Sequence, residues 1–84
     1  MTYAIRFTKQ AAKDVKRLTP KLQKKLKDIL RNRVAIDPYG GKPLMGELKG
    51  FYSVRLSYKD RIVYAIQDEE LVVIVIRART HYGE

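Results

Sequence analysis

The sequence has no cysteine and a single histidine. The first absence removes disulfides and thiolate metal sites, and the two together argue against a protein zinc site. No run approaches the roughly 18 apolar residues of a membrane helix. The start, MTYAIRFTKQ, lacks the long apolar stretch of a signal peptide. The expectation is a soluble cytoplasmic protein with no metal and no cofactor. There is no repeat, no low-complexity segment and no linker, so residues 1–84 read as one domain. A chain this short buries about 60–65 % of its unfolded surface. Packing around one thin core, or a partner, must hold the fold.

Acidic residues are also scarce. Eighteen Lys and Arg face nine Asp and Glu, a net charge of +9 with a pI near 10. Polyanions are the expected partners, either nucleic acid or an acidic protein. The charge is uneven. Residues 8–37 hold ten Lys/Arg and three Asp, a balance of +7, and the remainder hold eight against six, a balance of +2. The first half carries the basic bulk, and the second half places fewer charges more selectively.

What is present alternates or repeats in recognisable periods. YAIRF (3–7) reads as a short strand. Thr8 can cap a helix running to about Leu18, with Ala11, Val15 and Leu18 at helical spacing. Thr19 and Pro20 form a second start signal, as N-cap and first helical residue. Leu22, Leu26, Ile29, Leu30 and Val34 make the apolar stripe of that second helix, with Lys21, Lys24, Lys25, Asp28 and Arg31 outside. DPYGGKP (37–43) reads as a loop. FYSVRLS (51–57), RIVYAIQ (61–67) and LVVIVIRART (71–80) read as an antiparallel meander. The expected order is β-α-α-β-β-β, an α+β architecture with a helical hairpin on one face of a small antiparallel-rich sheet.

Strand alternation predicts a register. The even-numbered residues of all three long strands are apolar and are expected to face the helices. Even then pairs with even, Gln67 with Leu71, and Arg61 falls opposite both Arg55 and Arg77. Like charges directly opposite in a sheet are destabilising. The three arginines either splay into water or pair with Glu47 or Glu84, or they form an anion site. Guanidinium is permanently charged and forked, which suits phosphate oxygens. The same face leads on to Arg79, His81 and Tyr82. Histidine titrates near neutral pH and can give or take a proton. Arginines for a phosphate and a histidine for proton transfer are the groups that RNA cleavage through its own 2′-OH requires.

A short strand, a basic helical hairpin, LKGFYSVRL, RIVYAI, DEELVVIVI and a terminal RTHY together resemble the RelE/ParE superfamily of toxins. The similarity spans essentially the whole chain and is strongest from Pro43 to Tyr82. It looks most like the RelE and YoeB branch, ribosome-dependent mRNA endonucleases that cut in the ribosomal A site without metal. The resemblance implies a cognate antitoxin, the ribosome and A-site mRNA as partners, and no membrane. It matches Arg61 to the central catalytic arginine, Arg55 to a phosphate-binding strand position and Arg77 to the arginine ending the last strand. His81 would be the general acid, and Tyr82 would orient or stack on a base. The branch's glutamate base falls near Lys42, so Glu47 and Lys49 are the candidate bases, and His81 could also act. Ser53 stands where some members carry a catalytic lysine. Lys21, Lys24, Lys25, Lys49 and Arg79 would bind RNA. Val63, Val73 and Val75 on the open face would leave apolar surface for an antitoxin segment. Two other readings stay open: a ParE-like DNA gyrase inhibitor without nuclease chemistry, and a nonenzymatic RNA-binding module.

Overall fold

Both helices start where a threonine can accept a backbone proton. A computed structural model describes residues 2–78. Strand β1, Ala4–Phe7, leads into helix α1, Lys9–Lys16. The Thr8 side chain accepts the Ala11 N–H at 3.1 Å and so satisfies one orphan donor of the first turn. Helix α2, Pro20–Ile29, is capped by the Thr19 hydroxyl, which accepts from the Leu22 N–H at 3.2 Å. Pro20 at its start gives up no intrahelical bond. A π-helical turn, Leu30–Val34, extends α2. The helices are tied end to end by Gln23, whose amide donates to the Val15 and Leu18 carbonyls at 2.8 and 3.2 Å.

The loop after α2 contains a strand that the sequence pattern missed. Lys42–Pro43 form β2, followed by a short 3-10 turn, Gly46–Leu48. Strands β3, Phe51–Arg55, β4, Arg61–Gln67, and β5, Val72–Arg77, complete a five-stranded sheet ordered β1-β5-β4-β3-β2. β1 runs parallel to β5 and the other pairs are antiparallel. The fold is α+β, two helices on one face of a mixed sheet.

Leu26, Ile29, Leu30 and Val34 of the helical layer pack on Val54, Leu56, Ile62, Tyr64, Val73 and Val75. At about 25 cal/mol per Å² of apolar surface removed from water, such burial is the main term holding the layers together. In β3 and β4 the even residues face the helices, as expected. In β5 the odd ones do, which corrects the predicted parity. The reason is the connection. Four residues, Asp68–Leu71, separate the strands rather than three, with Leu71 left-handed at φ 53°, so Gln67 pairs with Val72. Val73 and Val75 are therefore core residues, not an open-face surface. Val63 does lie opposite Ser53, away from the core, but it is fully buried.

Gly41 is required by close approach. A methyl group there would overlap the Tyr64 hydroxyl and stand 3.1 Å from the Ser53 carbonyl. Burial pushes the Tyr64 hydroxyl up to about 12, so it remains a donor to the Pro38 carbonyl at 2.7 Å.

Candidate active site

The pairing of β3 with β4 places Arg55 directly opposite Arg61. Their neighbours Val54, Leu56 and Ile62 enter the core, so alternation turns both arginines to the open face. Arg55 is exposed and Arg61 half-buried. The turn that sets this register is held by side chains. Ser57 Oγ donates to Asp60 Oδ2 and accepts from the Asp60 N–H, both at 3.1 Å. The Asp60 carbonyl accepts from the Leu56 and Ser57 N–H groups.

The third arginine is not opposite Arg61. The ladder between β4 and β5 shifts between Val63 and Tyr64, so that Tyr64 pairs with Val75 and Val63 with Arg77. One extra residue, Ile76, is accommodated as a bulge. Arg77 thus ends a line of register partners, Lys42–Ser53–Val63–Arg77, that crosses four strands beside the Arg55–Arg61 pair. The predicted row of three becomes a pair of arginines flanked by this line. Within the line, the Ser53 hydroxyl is buried and has no hydrogen-bond partner among the described residues.

Arg77 is held by a residue that the sequence reading passed over. Its Nε donates to Asp14 Oδ2 at 2.8 Å, and the Ala78 N–H donates to the same oxygen at 3.1 Å. Gln10 Nε2 donates to Asp14 Oδ1 at 3.0 Å. Asp14 is 3 % exposed. Burial alone would push its carboxyl up, but the bonds from Arg77, the Ala78 amide and Gln10, with the charge of Arg77, leave it below the ordinary value. The signal was available. Asp14 is the one acid of α1 and lies three residues from Ala11 and four from Leu18, on the apolar face.

Glu47 is exposed on the 3-10 turn before β3, and Lys49 is exposed just after it. Lys21, Lys24 and Lys25 are exposed on α2. Arg79, His81 and Tyr82 lie outside the described residues. Among the described residues, no group of three or more His, Cys, Asp or Glu side chains comes together to hold a metal ion, and no helix is long and apolar enough to cross a membrane. Clefts of about 290 and 360 Å³ border the helical layer, and neither is lined by Arg55 or Arg61. Arg55 and Arg61 lie at the exposed end of a sheet face on which Ser53 and Val63 are buried.

The YoeB-like toxin of bacterial type II toxin-antitoxin systems is the family whose model matches residues 6–82. The toxin RelG of Mycobacterium tuberculosis is 33% identical over 78 residues, covering 92% of this chain and 88% of that protein. The toxin YoeB of Escherichia coli K12 is 35% identical over 71 residues, covering 80% of this chain and 76% of its own length. In structure, the M. tuberculosis RelBE2 toxin-antitoxin complex matches with a TM-score of 0.86 at 30% identity, over 96% of this chain and 100% of the matched one. The YoeB/ParE toxin of Agrobacterium tumefaciens matches with a TM-score of 0.84 at 27% identity, over 94% and 99% of the two chains. The basic sheet face therefore sits on a fold shared over 94–96% of the chain with solved toxins, and the protein belongs to the YoeB-like family of type II toxin–antitoxin toxins.

Proposed function

We propose that this toxin is a ribosome-dependent mRNA endonuclease that inhibits translation by cutting RNA through its own 2′-OH. The observation that carries the reading is the direct opposition of Arg55 and Arg61 on the open face. Two guanidinium groups facing each other cost stability unless an anion lies between them. A scissile phosphate is such an anion. In this reading the 2′-oxygen attacks the adjacent phosphorus, the 5′-oxygen leaves, and a cyclic phosphate results. Arg55, Arg61 and Arg77 supply positive charge as the phosphorane gathers negative charge. His81 protonates the leaving oxygen, and Tyr82 orients a base. Glu47 or Lys49 accepts the 2′-OH proton.

The lysines of the helices, Lys21, Lys24 and Lys25 among them, suit a phosphate backbone and would anchor the toxin on ribosomal RNA in the cytoplasm. The solved relatives in complex with antitoxins support a cognate antitoxin for this chain as well.

Primer extension on a translated mRNA, with and without ribosomes, tests the reading. Wild-type cleavage only on the ribosome, lost in Arg61→Ala and His81→Ala, is the expected result. Growth arrest with no cleavage by wild type would replace the nuclease with a gyrase-directed or purely RNA-binding toxin.

A further inference from the structure

Helix α1 and its N-cap are stitched to four successive residues, Val75 to Ala78, at and just past the end of β5. The Thr8 N–H donates to the Val75 carbonyl at 3.0 Å, and the Thr8 hydroxyl donates to the Ile76 carbonyl at 3.1 Å. Asp14, two turns further on, takes the Arg77 Nε and the Ala78 N–H on a single oxygen. Ile76 is the bulged residue. Thr8 and Asp14 therefore hold the bulged stretch of β5, just where a cation of the candidate site leaves the sheet.

A carboxylate buried at 3 % exposure is a poor choice for stability alone. An apolar pair of the same shape often serves as well or better. What a carboxylate provides is direction. Guanidinium is planar, so a bond to Nε at 2.8 Å sets the plane and heading of its other donors. The bond from the Ala78 amide holds the same oxygen against the main chain directly after β5. Gln10 in turn fixes the second carboxylate oxygen.

We propose that Asp14 is a positioning residue for RNA cleavage, acting through the orientation of Arg77 and of the Ala78 peptide. The inference rests on the nuclease reading above. Asp14 touches no reacting atom; it aims the groups that do. Errors of about 1 Å in placing such groups cost on the order of a hundredfold in rate.

The test is cleavage of mRNA on programmed ribosomes, titrating toxin to obtain the saturating rate and the half-saturating concentration separately. Asp14→Ala is expected to lower the saturating rate by at least about tenfold and leave half-saturation within about twofold. Asp14→Asn is expected to restore most of the rate. Its one carbonyl oxygen can take both the Arg77 and Ala78 donors, while its amide donates to a flipped Gln10. Asp14→Glu keeps the charge but moves the oxygens by a methylene and is expected to stay slow. Leu26→Ala, a core change in the helical layer that leaves the Asp14–Arg77 contact in place, controls for lost stability and keeps the wild-type saturating rate below its melting temperature. A wild-type rate in Asp14→Ala overturns the inference. If Asp14→Ala does not fold, equal rates for the Asn and Glu variants overturn it. Wild type that does not cleave on the ribosome overturns the nuclease reading and this inference together, an outcome recognisable from the wild-type lane alone.

Discussion

The two hairpins of the sheet differ in how their register is set. Between β3 and β4 the turn closes on itself through Ser57 and Asp60, and the strands pair residue for residue up to Arg55 and Arg61. Between β4 and β5 the turn forces a left-handed leucine, and the ladder slips by one residue before its end. The regular hairpin brings two like charges face to face. The irregular one carries the third to Asp14. Regular pairing concentrates charge, and an interruption of pairing is where the sheet exchanges one partner for another.

The largest effect is expected at the regular hairpin. Arg61→Ala should reduce cleavage by about a hundred- to thousandfold, the loss that follows removal of one well-placed electrostatic contact. Thermal melting at low salt should hold or rise slightly, because the opposition with Arg55 is relieved. A lower melting temperature would mean that the pair is held together in the free protein and would weaken the case for an anion between them.

Asp60→Ala comes next. It removes the Oδ2 that accepts from Ser57 Oγ, on a residue that is 8 % exposed, and leaves the bond from the Asp60 N–H in place. Denaturant unfolding should report about 1–3 kcal/mol of lost stability. Amide exchange should loosen β3 and β4 before β5. Uniform loosening would show that the Ser57–Asp60 turn does not set the register.

Acid separates the hairpins from the other side. Asp14 holds Arg77 at the end of β5, and Asp68 at the β4–β5 turn accepts hydrogen bonds from the Tyr3 and Tyr39 hydroxyls. Both carboxyls lie below their ordinary value of 3.8, Asp68 through the bonds from Tyr3 and Tyr39. Each binds its proton more weakly folded than unfolded. Their stabilising contribution is complete above 3.8 and disappears as pH falls through the lower folded values. NMR spectra across that range should show β1 and β5 signals lost ahead of β3. Simultaneous loss would deny these carboxylates a local role.

The smallest change is Leu71→Gly. It relieves a left-handed leucine but gives up a half-buried side chain, so the net gain should stay within about 1 kcal/mol. A loss of stability would show that the Leu71 side chain matters more than its backbone strain.

The same contrast explains what could be read in the residues beforehand. Helix starts are local: Thr8, and Thr19 with Pro20, carry their own physics, and both caps form as expected. The Arg55–Arg61 pairing was legible because β3 and β4 alternate cleanly on both sides of a short turn. The line to Arg77 was not. An αL leucine and a single bulged isoleucine leave no mark in an alternating run of Val and Ile, and each moves the partner by one. β2 was missed because two residues, one of them proline, show no period. Asp14 was visible as an acid on an apolar stripe, but its partner lies 63 residues away in sequence.

The strand order has a consequence for how the toxin comes into being. β5 is the latest of the five strands in chain order, yet it lies between β1 and β4. Among the described residues, β1 pairs with β5 alone. A nascent chain that stops short of β5 leaves its first strand unpaired and takes Val73 and Val75 out of the core. The growing polypeptide thus cannot complete its sheet until synthesis has passed Arg77. The first strand made is also among the last to find its place.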